Sequence, residues 1–196
     1  MNLPNKITMG RIVLSFIILM ILLLPFDEMN IVWPIYLVNS MTINSKYIVV
    51  GVLFLIASIS DFLDGYIARK ENIVTDFGKT MDAIADKVLV NGLLIILAYH
   101  RVIPVIIPVV IITRDIITDS CKSIVGAKAK VVGASKLGKL KTIFMMVGLT
   151  LTLFYNLPFS LMNVEIGEIL LILATVLSIV SGVEYVKNSL PYLKEK

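Results

Sequence analysis

Cysteine is almost absent from the chain. Cys121 stands alone, so no internal disulfide and no cysteine-based zinc cluster can form, and it reads as a small apolar filler. Histidine is equally scarce. The single one, His100, lies beside Arg101 in a short connection and is expected to be a solvated loop residue, not a ligand. There is no low-complexity segment and no internal repeat, and 196 residues leave room for one domain, taken as residues 1–196. No small-residue cleavage site follows the first apolar run, which therefore reads as a retained membrane helix and not a secretory signal. The net charge of +4 is modest, and no nucleic-acid partner is expected.

What is abundant is apolar surface. The chain is 58% hydrophobic with a mean hydropathy of +0.93, against about 45–50% apolar in a soluble domain, and lipid contact accounts for the excess. Six apolar stretches run from Ile12 to Phe26, Tyr47 to Ile59, Val88 to Tyr99, Val102 to Ile117, Ile143 to Phe159 and Ile166 to Val183. A spanning helix needs about 20 residues. The second and third stretches reach that length only by continuing into segments that carry carboxylates, which are costly at a membrane edge and mark function there. The expected fold is all-α, an integral membrane bundle of six transmembrane helices with no sheet and a polar cavity open to the cytoplasm.

Lys and Arg set the orientation. With six spans, Lys6, Arg11, Arg69, Lys70, Lys79, Lys87 and the lysines from Lys122 to Lys141 share one side with both termini. The other side has only Lys46 and Arg101 beside Asp27, Glu28, Glu165 and Glu168. The positive side faces the cytoplasm. Trp33, in the first outer connection, either anchors it at the interface or packs within the loop. Pro104 and Pro108 are expected to open the fourth span and bend its outer end.

The informative segment runs from Asp61 to Asp86 as D-x2-D-G-x2-A-R-x8-G-x3-D-x3-D. Asp61 and Asp64 are three apart and Asp82 and Asp86 four apart, so each pair shares a helical face. The stretch from Lys70 to Phe77 is long enough to turn one helix back beside the other. Four carboxylates would then converge, and their repulsion must be relieved by protons, by Arg or Lys partners, or by hard divalent cations. Two ions about 3.5–4 Å apart form a clamp suited to displacement at phosphorus. Gly65 and Ala68 either admit a phosphorylated ligand to the backbone or serve close helix packing.

This string resembles the signature of the CDP-alcohol phosphatidyltransferase family, matching at Asp61, Asp64, Gly65, Ala68, Arg69, Gly78, Asp82 and Asp86. The resemblance implies six membrane helices, a homodimer, bound Mg²⁺ or Mn²⁺ (two ions), and transfer of a phosphatidyl group from CDP-diacylglycerol with release of CMP. It implies that Asp61, Asp64 and Asp82 ligate metal, and that Asp86 both ligates metal and takes the acceptor's hydroxyl proton. Gly65, Arg69 and Thr75 would hold the CDP portion, joined by Asn5 and Thr8 from the N-terminal segment.

Within the family the chain is most similar to members whose acceptor is sn-glycerol 3-phosphate. The similarity lies in the Asn-Leu-Pro-Asn-Lys-Ile-Thr opening, Asp86 to Val90, Arg114 followed by an acid, and Gly138 to Thr142. Arg114, Lys122, Lys139 and Lys141 are the expected acceptor-phosphate ligands. Two positions depart from the family's pattern: Asp115 stands where relatives often have Glu, and Lys122 where they often have Arg. Lys128, Lys130 and Lys136 fit equally an inner loop attracted to anionic membrane lipids. Inositol phosphate, serine or phosphatidylglycerol are the alternative acceptors. A cation channel or transporter is a remote alternative, since it would spread acids through the bilayer depth instead of clustering them at one edge.

Overall fold

A computed structural model describes residues 3–38, 41–70, 75–127, 136–162 and 164–193. Among them are six α-helices: α1 (Leu3–Leu23), α2 (Ser45–Lys70), α3 (Asp76–Tyr99), α4 (Ile106–Ala127), α5 (Lys136–Leu153) and α6 (Ile166–Leu193). The all-α reading holds with one correction, because a short sheet is present. Strands β1 (Ile35–Val38) and β2 (Met41–Asn44) pair antiparallel between α1 and α2, with Ile35 opposite Asn44 and Val38 opposite Met41. Pro34 blocks helix at the start of this segment, and Ile35, Tyr36, Val38, Thr42 and Ile43 favour extended backbone.

α1, α2 and α6 are long and apolar enough to cross a membrane, over Pro4–Leu23, Ser45–Ile67 and Ile166–Pro191. Their surfaces explain the composition. Val13, Phe16, Met20 and Leu23 on α1 are each more than half exposed, as are Val176 and Val183 on α6. A helix with apolar residues both inside and outside is stable where lipid covers its outer face. This is a membrane protein.

The chain forms two compact units, residues 1–97 with 153–157, and residues 98–152 with 158–196. In the first, α1 packs on α2, and Ile18, Leu22, Val50, Phe54, Leu89, Leu93 and Leu97 are buried. Asn44 caps α2: its side-chain oxygen accepts from the Lys46 N–H at 2.9 Å. Its own N–H donates to the Tyr155 hydroxyl at 2.8 Å. In the second unit α4 packs on α6, with Ile107, Ile111, Leu149, Leu171 and Ala174 buried.

Helix ends follow local features, and several differ from the ends of the hydrophobic stretches. α3 ends at Tyr99, where the third stretch ends, and two residues on Arg101, with φ of 58° and its N–H bonded to the Ala98 carbonyl at 3.0 Å, turns the chain away. α5 ends at Leu153 and not Phe159, because Tyr155 and Asn156 turn to φ of 56° and 55°. α4 begins at Ile106, after Pro104, and Pro108 lies in its first turn, where the missing N–H costs nothing. Trp33 packs edge-on against Phe26, 5.6 Å between centroids.

Candidate active site

The aspartate-bearing ends of α2 and α3 are continuous helix, as their spacing requires. α2 carries Asp61, Asp64 and Gly65 in its last turns, and α3 carries Gly78, Asp82 and Asp86 in its first three. Asp61, Asp64 and Asp82 each bring one carboxylate oxygen within 4.8 Å of the others'. Asp86 lies one turn further along α3 and is half-buried. Asp64 is 4% exposed, whereas the side chains of Asp61 and Asp82 are 42% and 49% exposed, so the cluster has a buried floor and an open rim. An all-carboxylate oxygen set of this spacing fits a hard divalent cation.

The floor is built by α1, which begins at Leu3, so Asn5, Thr8 and Arg11 are helical and successive turns bring them to one face. The Thr8 hydroxyl donates to Asp64 Oδ2 at 2.9 Å and also contacts the Pro4 carbonyl at 3.1 Å. Asn5 exchanges side-chain hydrogen bonds with the Thr75 hydroxyl at 3.3 Å, and Thr75 Oγ1 accepts the Gly78 N–H at 3.0 Å. Gly78 is required by this approach, since a Cβ there would lie 2.6 Å from Asn5 Oδ1. Three residues expected to contact CDP, Asn5, Thr8 and Thr75, thus border the aspartates. Gly65 is half-buried beside Asp64. The Arg69 side chain lies outside the described residues.

Sequence reasoning missed Arg11 at this site. It had been counted only as a positive charge at the cytoplasmic edge, yet its side chain is 2% exposed and reaches all three aspartates. Nη1 pairs with Asp61; Nη2 pairs with Asp82 and, at 3.3 Å, with Asp64. The available signal was its spacing: Arg11 follows Thr8 by three residues and Asn5 by six, on one face of an apolar helix.

In the second unit the basic residues expected to meet the acceptor divide into two sets. Arg114 lies across Gly182, where a Cβ would come within 2.7 Å of its Cγ. Its Nε donates to the Ser178 carbonyl at 3.1 Å, Nη2 to Ser181 Oγ at 2.8 Å and Nη1 to Asp115 at 2.8 Å. Lys141, 4% exposed, donates to both Asp115 oxygens at 2.8 and 3.2 Å. Arg114 and Lys141 therefore share one carboxylate. Lys122 instead pairs with Asp119 at 3.4 Å on an exposed face, near the Tyr185 ring, and Lys139 is exposed. Lys136 is exposed at the start of α5, while Lys128 and Lys130 lie outside the described residues.

A helical membrane protein that gathers three aspartates from two successive helices beside α1 presents a carboxylate set suited to a divalent cation, in the manner of membrane-embedded phosphotransferases. The family model described as CDP-alcohol phosphatidyltransferase matches residues 1–180, and the chain belongs to that family. Among curated relatives it is 39% identical over 193 residues to CDP-diacylglycerol–glycerol-3-phosphate 3-phosphatidyltransferase of Bacillus subtilis (strain 168), covering 98% of this chain and 97% of that one. It is 33% identical over 192 residues to the protein of the same name from Rickettsia typhi, covering 97% and 98%. The Mycoplasma genitalium protein of that name is 44% identical over 115 residues, 59% of this chain and 49% of that one.

Proposed function

We propose that the chain transfers a phosphatidyl group from CDP-diacylglycerol to sn-glycerol 3-phosphate, giving phosphatidylglycerol phosphate and CMP. The observation that carries the reading is the convergence of Asp61, Asp64 and Asp82 over a floor of α1 residues, in a chain near full-length similarity to relatives named for this reaction. Asp61, Asp64, Asp82 and Asp86 would hold two ions of Mg²⁺ or Mn²⁺. Bound metal would supply charge neutralisation at the diphosphate and at the departing CMP.

The chain's own residues do the rest. Thr8 fixes the rotamer of Asp64 by donating to Oδ2, leaving the other oxygen for ligation. Asn5 and Thr75, tied together beside Gly78, form the edge against which the CDP head group rests, with Gly65 and Arg69 on α2 completing that contact. Asp86, on the turn after Asp82, takes the proton from the acceptor hydroxyl. That oxygen forms its bond to the lipid-side phosphorus as the bond from this phosphorus to the bridging oxygen breaks, and the electron pair leaves on CMP. Arg114 and Lys141, positioned by Asp115, hold the phosphate of the acceptor, assisted by Lys122 and Lys139.

The same reading takes residues 1–196 as one membrane-embedded catalytic domain of six spans. At 1.5 Å per residue, the 24 residues of α3 and 22 of α4 extend about 36 and 33 Å, enough for a hydrocarbon core of about 30 Å. Both termini and the polar cavity face the cytoplasm, where most of the lysines fall, and the chain works as a homodimer among membrane lipids. The test is CMP release by purified protein with CDP-diacylglycerol and Mn²⁺, offering glycerol 3-phosphate, inositol phosphate, serine or phosphatidylglycerol in turn. Release that depends on glycerol 3-phosphate supports the proposal, and release with another acceptor alone overturns it.

A further inference from the structure

Arg11 stands where the aspartates need a positive charge. It approaches from the buried side, its guanidinium engaging Asp61, Asp64 and Asp82 together, while the carboxylates open on the other side. Its Nε is buried and has no hydrogen-bond partner among the described residues. Three carboxylates with oxygens within 4.8 Å of one another repel unless a cation lies among them. One guanidinium supplies a single positive charge, through fixed N–H groups that match carboxylates. A divalent ion on the same carboxylates would both repel it and compete for their oxygens.

From this juxtaposition we infer that Arg11 is the resident counter-ion of the metal-free site: it holds the three aspartates at ligating separation and turns off them when a divalent cation binds. The inference rests on the metal reading given above. It makes Arg11 a positioning residue that lowers metal affinity, the reverse of what a simple brace would do. A brace, when removed, loosens the ligands and weakens binding. An exchanging counter-ion, when removed, strengthens it.

The experiment uses full-length protein in detergent, stripped of metal and titrated with Mn²⁺ at mildly alkaline pH, with the free ion followed by electron paramagnetic resonance. Arg11→Met deletes the charge and keeps an unbranched apolar stem. It is expected to bind Mn²⁺ on the order of ten- to a hundredfold more tightly than the unsubstituted chain, the scale of one lost charged hydrogen-bond competitor. In chelator the same variant melts at a lower temperature, and Mn²⁺ raises its melting point by more. Arg11→Lys keeps one charge without the fork and is expected to lie between the two; it decides the matter if Arg11→Met does not fold. Binding equal to or weaker than that of the unsubstituted chain, in whichever variant folds, overturns the inference while leaving the metal site standing. No Mn²⁺ binding by any of the chains overturns both.

Discussion

Thr8 offers a direct test of how α1 serves the aspartates. Thr8 and Asp64 are both 4% exposed, and the hydrogen bond of 2.9 Å from the Thr8 hydroxyl has an ionisable acceptor. Thr8→Val removes the donor with almost no change in volume. A hydrogen bond to a charged group contributes about 1.5–3 kcal/mol, and a buried carboxylate oxygen that loses its donor is left with that cost. Asp64 would retain the longer contact to Arg11, at 3.3 Å, and the Gly65 backbone N–H, and its rotamer would loosen. Partners that orient metal ligands typically change metal affinity or activity by about 10–100-fold. The Mn²⁺ concentration giving half-maximal CMP release is therefore expected to rise by about tenfold or more in Thr8→Val, with Thr8→Ser close to the unsubstituted protein. The two variants separate hydrogen bonding from packing. An unchanged metal requirement in a folded Thr8→Val protein, or equal losses in both variants, would refute the reasoning.

Other outcomes follow from the same geometry. Asp86→Asn should lower kcat by about 10²–10⁴-fold, the range for a lost general base, with less effect on KM for CDP-diacylglycerol; steady-state CMP release measures both. Asp115→Asn removes the carboxylate shared by Arg114 and buried Lys141. The cost of breaking such a pairing is about 3 kcal/mol, read as a lower melting temperature. KM for sn-glycerol 3-phosphate should rise with it, because the two cations lose the group that fixes them, and a change confined to CDP-diacylglycerol would count against their acceptor role.

The two aspartate pairs proposed to carry the chemistry were legible early because helical spacing is a local property. Asp61 with Asp64, and Asp82 with Asp86, had to share faces once their segments were helical, and the short apolar stretches showed that both helices must run on through the acids. Composition alone required lipid around the helices. The end of α5 was less legible, since its stop depends on Tyr155 and Asn156 adopting positive φ, which hydrophobicity does not register. The hairpin was missed because the apolar run from Ile31 to Val38, too short to span, was not weighed for strand pairing.

Long-range placement needed the tertiary structure. That Thr8 would meet Asp64, 56 positions away, or that Lys141 would share Asp115 with Arg114, depends on which helices become neighbours. Arg11 is the clearest case. In the sequence it is one basic residue among many at the edge of an apolar run. The packing of α1 buries it beneath three carboxylates, and burial turns a surface charge into their counter-ion. The sequence by itself determined which residues could bind metal, because spacing and donor chemistry are written in order along the chain. Only the tertiary structure decided what balances their charge, because charge balance is set by distance in space.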